Sequence, residues 1–567
     1  MLQTQCKNCT NTFVIEPADV VFYEKMAVSA PTLCPDCRQQ RRLAHSNQLM
    51  LYQRKCDITG QNIITNYHAD SPYKVYANEY WYSDKWNALT YGRPFDFNRS
   101  FFEQFGELSL AVPRPALHRG FFYDDNSPYT NYAGKNRNCH MIFDSDQNEQ
   151  CLYSFSINSS QNCLDCFRVR KSELCYECID CVNCYHSVFL QDCEQCLDSA
   201  FLKDCVDVRN SLLCVGLRHK EYHVLNKPVT AAEFKLAQQQ LFSRVGQQQL
   251  LRQFSDLALQ FPNKYMHGAH NENVRGDYLR NCKDAINCYD SNDLEKCKNY
   301  YQAFDNAKDC MDVLQCGDQA ELLYECCYLG YTAYNIRFSM HGLGTSNNFT
   351  YCNHCFHASN LFGCIGVHNR EQYCILNKQY SEAEYNKLIP RIIAHMKQTG
   401  EWGELFPIAL SSFAYNESLA QDYFPLTKTA AQAKGYRWRE NTIQSNPATY
   451  QVPDTFSAVK SDITKELLAC SQCQRNYKII AAELAFFQQA NLPLPTQCFY
   501  CRHQRRLMLR NPKQLWHRQC MCLPDRQAGT QPDHNHQGRC ATEFATTYAP
   551  NRKELVYCEQ CYNKEIY

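Results

Sequence analysis

Residues 139–214 read CHMIFDSDQNEQCLYSFSINSSQNCLDCFRVRKSELCYECIDCVNCYHSVFLQDCEQCLDSAFLKDCVDVRNSLLC, and all their cysteines share one register modulo three. Every third residue from Cys139 is Cys, Ser, Ile, Leu, Val or Asn and never charged or aromatic, whereas Asp, Arg, Lys, Tyr and Phe fall between. A step of three fits neither an α-helix at 3.6 nor a strand at 2, but it suits a flattened coil that turns small residues inward. Ser187, Ser199 and Ser211 recur every 12 residues, as do Leu190 with Leu202 and Cys193 with Cys205. The predicted unit is a coil of about 12 residues, stacked by parallel β bonding at about 4.8 Å.

Inward positions three apart create CxxC pairs automatically, as at Cys163/Cys166, Cys178/Cys181 and Cys193/Cys196. These sulfurs read first as small filling groups, with buried zinc and a redox ladder as the alternatives. In shape the coil resembles the narrow β-helix of beetle antifreeze proteins, although those are disulfide-linked and carry a threonine array that this chain lacks. A second array keeps the register at Cys282, Ala285, Cys288, Ser291, Leu294 and Cys297, slips around Cys310, and resumes at Cys352, Cys355, Ala358, Leu361 and Cys364. Cys326 and Cys327 cannot both point inward, which predicts a bulge or small insertion. The arrays end alike, with Gly216, Glu221, Asn226 and Lys227 matching Gly366, Glu371, Asn377 and Lys378. The Asn-Lys pair reads as a turn in preference to a catalytic pair. Thr230-x-x-Glu233 and Ser381-x-x-Glu384 are capping boxes, each predicting a helix. Apolar spacing suits one or two helices broken at Gly246 after the first box, and one kinked at Pro390 after the second.

Outside the arrays, Cys6-x2-Cys9 and Cys34-x2-Cys37 are separated by 24 residues, and Cys470-x2-Cys473 and Cys498-x2-Cys501 by the same 24. Two such knuckles bring four thiolates to a tetrahedron around zinc, with Zn–S bonds of about 2.3 Å. Arg38, Arg41, Arg42 and Leu43 match Arg502, Arg505, Arg506 and Leu507, and Arg54 with Cys56 matches Arg518 with Cys520, at the same offset as the cysteines. This is an internal duplication. The arginines read as neutralising a thiolate site or as contacting nucleic acid, the candidates being Arg38, Arg41, Arg42, Arg502, Arg505 and Arg506. A third site is expected from His536, Cys540, Cys558 and Cys561, with Cys520, Cys522 and His534 as additional candidates. Its N-terminal counterpart begins at Cys56, but VYANEYWYSDKW has no cysteine, so the aromatic cluster Tyr80, Trp81, Tyr82 and Trp86 is expected to stand in for the metal.

The 567-residue chain carries 58 basic and 58 acidic side chains and a mean hydropathy of -0.54, which removes whole-molecule attraction to nucleic acid or anionic membrane. With no signal-peptide pattern and no apolar run of 18 residues, a cytoplasmic protein is expected. In a reducing compartment cysteine is chiefly a metal ligand or a buried thiol. The expected fold class is mostly β and multidomain, with terminal zinc ribbons flanking two narrow parallel β-solenoid arrays and capping helices. The boundaries are a zinc ribbon at 1–55, a degenerate unit at 56–95, an aromatic linker at 96–138, the first solenoid at 139–229, a helical insert at 230–262, the second solenoid at 263–380, a helical cap and linker at 381–460, a ribbon at 461–519 and a zinc-binding unit at 520–567.

CRQQRRL, YWYSDKWNALTYGRPFDF and TYAPNRKELVYCEQCYNKEIY mark a resemblance, over nearly the whole chain, to a cysteine-rich zinc-ribbon family known chiefly from small-genome uncultivated bacteria. Members often carry a paired knuckle where this chain has only Cys56, and the resemblance implies no activity or catalytic residue. HExxH, a P-loop, a serine elbow and a dinucleotide fingerprint are all missing from the sequence. The expected function is a non-enzymatic scaffold or binding protein with two to four structural zinc ions and an RNA or protein partner, with no membrane and no small-molecule substrate. Two alternatives stand: a protein-interaction solenoid with outward Tyr176, Phe189 and Phe201 as anchors, and a metal-dependent enzyme at the irregular His534–Cys540 region.

Overall fold

The structure, a computed structural model, describes residues 2–566 except 120–123, 300, 305–310, 313, 318–322, 330–332, 343, 441–445 and 524–535, with 301–304 and 314–317 described by backbone alone. Every third residue from Asn138 to Leu213 is left-handed, with φ between 47° and 60°. The chain therefore advances in triplets of one inward, one bridging and one left-handed residue. Bridging residues pair in parallel 12 apart, as His140 with Leu152 and Leu152 with Leu164, and Phe143 with Phe155 and Phe155 with Phe167. The left-handed position costs a non-glycine residue about 1–2 kcal/mol and is least unfavourable for Asn and Asp, which recur there.

Hydrogen bonding offsets that cost and explains the inward residue types. A bridging N–H donates forward, as Leu164 N to Cys175 O at 2.9 Å, and a left-handed N–H donates backward, as Asp165 N to Leu152 O at 3.1 Å. Where an inward residue lies above a serine of the preceding turn, its N–H donates to that hydroxyl: Ser199 N to Ser187 Oγ at 3.3 Å, Ser211 N to Ser199 Oγ at 3.1 Å. Inward thiols donate to the carbonyls around them, Cys166 Sγ meeting Leu164 O and Cys175 O at 3.5 Å each. The inward cysteines thus bond as well as fill, and Cys163, Cys175, Cys193 and Cys205 are all buried.

Parallel pairing in this first stack begins at Arg119 with Ala133 and reaches Val224. The second stack, from Gly268 to Ile375, has turns of unequal length: Glu272 pairs with Lys283, Lys283 with Glu295, and Met311 with Tyr324, spacings of 11, 12 and 13. The Cys326–Cys327 conflict resolves without a bulge between them, because Cys326 takes an inward and Cys327 a bridging position between left-handed Glu325 and Tyr328. Cys326 Sγ donates inward to Tyr324 O, whereas Cys327 Sγ points out of the stack to Arg42 O. Cys310 lies outside the described residues.

Both stacks are closed by an asparagine whose side chain acts as one more strand. Asn226 accepts from Val215 N and donates to Val215 O, both at 2.8 Å, and Asn377 does the same to Ile365. Helices Ala231–Gln238 and Glu382–Gln398 then start at their capping boxes. Gly246 does not break a helix as expected: Ser243 caps Arg244–Ala258, and Gly246 sits in its first turn because a Cβ there would lie 2.2 Å from Gln240 O. Pro390 lies inside its helix without ending it. Helix and strand cover 25% and 27% of the chain, so "mostly β" overstates the strand content. The stacks hold together largely by single-residue bridges that form no strand.

Replacing Ser199 by alanine leaves the buried Ser211 N–H without its acceptor, at a cost of about 1–3 kcal/mol. Amide exchange at Ser211 should accelerate in the Ser199→Ala protein while exchange in the second stack is unchanged. Unchanged exchange at Ser211 would remove the hydroxyl from the account.

Candidate metal centres

The hairpin of strands Leu2–Gln5 and Thr12–Ile15 carries Cys6 and Cys9 at its tip, and Cys34 is the N-cap of helix Pro35–Ala44, with Cys37 in its first turn. The helix thus turns its positive end toward the thiols. The four Sγ atoms lie within 4.8 Å of one another, and Cys9 and Cys34 are 3.7 Å apart. A tetrahedron with 2.3 Å bonds has edges of about 3.8 Å, so the group fits zinc. Burial pushes the Cys6 thiol up, but the backbone N–H groups of Cys34, Cys9 and Asn8 outweigh it and bring it down to about 6.

The copy at Cys470, Cys473, Cys498 and Cys501 repeats this plan, with Cys498 capping helix Phe499–Met508 and Cys473 Sγ again 3.7 Å from Cys498 Sγ. The second pair of each module sits on a helix, and a further helix, Pro17–Lys25 or Ala481–Ala490, lies in the 24-residue insert, so the hairpin-only insert of a ribbon does not describe them.

The third group differs from the expected ligand set. Cys520, Cys540, Cys558 and Cys561 converge and are all buried, whereas His536 meets Cys522 and Cys561, its Nε2 3.5 Å from Cys561 Sγ. His534 lies outside the described residues. Cys520 has the place given to His536 because its sulfur accepts the Cys558 N–H at 3.2 Å, tying hairpin to helix. The N-terminal counterpart keeps this bond, Ala77 N to Cys56 Sγ at 3.2 Å, with VYANEY aligned on VYCEQC. Ala77 and Tyr80 stand where Cys558 and Cys561 do, and Trp81, buried beside Trp86, packs the unit in place of an ion.

The expected nucleic-acid arginines face the stacks. Arg38 and Arg42 reach Asp312 at 2.6 and 3.2 Å, and Arg41 reaches Glu325 at 2.6 Å, all from helix Pro35–Ala44 onto the second stack. Arg502 and Arg506 reach Asp165 at 3.0 Å each, and Arg505 and Arg506 share Glu177, all onto the first stack. Arg38, Arg41, Arg42, Arg502 and Arg506 are buried, so they offer no guanidinium to RNA and do not serve chiefly to neutralise thiolates. Asp312 and Glu325 lie 13 residues apart, and Asp165 and Glu177 lie 12 apart, one turn in each stack. The duplicated arginines therefore dock in one register, but crosswise, the N-terminal set on the second stack and the C-terminal set on the first, while Arg510 beyond the duplicated set bridges Asp180 of the first stack to Asp290 of the second, at 2.6 Å each. Acidic partners at left-handed stack positions carried no motif, which is why residue pattern alone missed the docks.

Each stack's lead-in brings a histidine to the other stack. His267 stacks on Tyr278 at 4.5 Å; burial lowers its pKa, but Asp277 and Asp192 outweigh this and hold it at about 9. His118 instead meets His341 and His354, with ring centroids 4.5–4.8 Å apart and planes within 12–23°. Their nitrogens are close enough to suggest a metal centre. An ion needs a free lone pair from each ring it binds, and both His341 nitrogens are already bonded, Nδ1 to Asn353 Oδ1 at 3.1 Å and Nε2 to the Tyr132 hydroxyl at 2.9 Å. The arrangement reads as a packed triangle of neutral imidazoles.

A family model described as a probable treble clef domain matches residues 3–46, the first of these modules. The N-terminus is thus a treble-clef zinc-binding domain within a cysteine-rich chain. A search of curated proteins found no match.

Burial holds His118 and His354 well below the usual 6.5 and brings His341 to about 3. Unfolded, the same rings take protons near 6.5. Their contribution is therefore present above pH 6.5 and lost as pH falls toward the folded values, at up to about 1.4 kcal/mol per pH unit per ring. Asp144, raised to about 7 by burial, runs the other way, so a comparison of two proteins isolates the stack. His118→Phe, which keeps a ring and removes an Nε2 that has no partner, should lose less melting temperature between pH 7.5 and 5 than the parent. An equal loss would contradict the neutral stack.

Proposed function

We propose that the chain is a non-enzymatic, zinc-stabilised protein-binding scaffold in which two narrow β-solenoids are clamped by treble-clef modules. The observation that carries this is the crossed set of buried arginine–carboxylate docks, which uses the modules' basic helices inside the molecule. Three closed four-thiol groups would hold structural zinc: Cys6, Cys9, Cys34, Cys37; Cys470, Cys473, Cys498, Cys501; and Cys520, Cys540, Cys558, Cys561. A four-thiolate site has no vacant position for a reacting water, which weighs against a metal-dependent enzyme. With these arginines inside, the exposed stack faces support a protein partner over RNA. No helix among the described residues is long and apolar enough to cross a membrane.

Metal analysis of the full chain should return about three zinc per molecule, Cys520→Ser about one fewer, and His536→Ala an unchanged number. Loss on removing His536 but not Cys520 would restore the mixed ligand set. Capture from native cells should bring down the same proteins with and without nuclease. Partners that vanish on nuclease treatment would overturn the protein-scaffold reading.

A further inference from the structure

The duplication places one slot in each half, and among the described residues one is filled and the other is open. In the N-terminal half, Trp402-Gly403-Glu404-Leu405-Phe406 lies between the treble-clef helix and the second stack. Glu404 accepts from Thr32 N at 2.9 Å, from the Thr32 hydroxyl, and from Arg41 at 3.0 Å. Leu405 N donates to Glu325 at 3.1 Å, and Trp402 packs edge-on against Phe338 and Tyr351, each at 6.0 Å.

Every one of these partners has an equivalent in the other half. Thr496 and Arg505 stand at the module offset from Thr32 and Arg41. Glu177, Phe189 and Phe201 occupy the same successive turns of the first stack that Glu325, Phe338 and Tyr351 occupy in the second. All five line one cavity of about 560 Å3 between the first stack, helix Arg244–Ala258 and the C-terminal module. Among the described residues no segment fills it, and those after that helix run off to pair Pro262–Lys264 with Leu555–Tyr557. The difference shows in exposure. The Arg41 side chain is 8% exposed and Arg505 46%, while Ala44 is buried and its equivalent Met508 is 80% exposed.

We propose that this cleft docks a segment of a partner protein bearing a glutamate bracketed by aromatic and aliphatic residues, the chemistry that 402–406 supplies in the other half. The glutamate would take Arg505 and Thr496, a backbone N–H would reach Glu177, and an aromatic ring would cover the Phe189–Phe201 pair, itself stacked at 4.6 Å. Phe201 lacks the hydroxyl through which Tyr351 accepts Gly403 N–H, so one contact of the filled slot is missing. The proposal rests on the scaffold reading and gives it a partner class.

The probe is a labelled synthetic peptide with the sequence of residues 399–410, TGEWGELFPIAL, titrated by fluorescence anisotropy against the zinc-loaded full chain. Saturable binding is expected, weakened about tenfold or more by Arg505→Ala, by Thr496→Val and by Glu404→Gln within the peptide, as loss of a charged hydrogen bond requires. The peptide variant leaves the protein untouched, so a folding defect cannot imitate its effect. Absent binding, indifference to the peptide's glutamate, or displacement by a short oligonucleotide would overturn the proposal. Sensitivity to Thr32→Val in place of Thr496→Val would mean exchange into the filled slot and would also overturn it. Metal content and melting of the same samples separate the outcomes: a metal-replete, cooperatively melting protein that ignores the peptide sinks the cleft alone.

Discussion

A guanidinium taken out of water is costly unless it meets a carboxylate or other acceptor, and five of the duplicated arginines of the two four-thiol modules are buried. Burial of an ion pair adds little net stability, but breaking one after burial costs about 3–5 kcal/mol. Its main effect is to specify. Each module helix carries three arginines at fixed spacing, and only a stack presenting Asp and Glu on consecutive turns can receive them. The spacing of the triplet repeat thereby determines where a metal-binding module sits, and the crossed docking closes the two halves onto each other.

The triplet register, the capping boxes and the paired knuckles were legible because each is a local rule about residue type at a fixed spacing. Gly216 and Gly366 match in sequence and also in place: a side chain at Gly216 would meet Ile566 of the C-terminal unit, and one at Gly366 would meet Trp86 of the metal-free unit. The docks were not legible, since Asp312 and Glu325 look like any polar residues between inward positions. The grouping of the third set of thiols was less legible for a related reason. Its hairpin knuckle is spread over Cys520 and Cys540, so spacing favoured the nearby histidine, whereas a thiol that accepts the Cys558 N–H is held in place by the fold.

The halves have diverged where they meet other parts of the chain. One junction buries a charged His267 among Asp277, Asp192 and Asp204; the other buries three neutral rings, His118, His341 and His354. One terminal unit keeps four thiols, and the other replaces them with Cys56, Ala77, Tyr80 and a tryptophan pair. The same framework tolerates both because the hairpin-to-helix sulfur bond survives in each.

The most direct test of crossed docking is hydrogen exchange on the full zinc-loaded chain carrying Asp312→Asn and Glu325→Gln, which removes the two carboxylates that receive the N-terminal arginines and leaves Asp290, the partner of Arg510, in place. Residues 2–46 should lose protection while the C-terminal module around Cys470–Cys501 keeps its own. Loosening of the C-terminal module, or no change in either, would contradict the account.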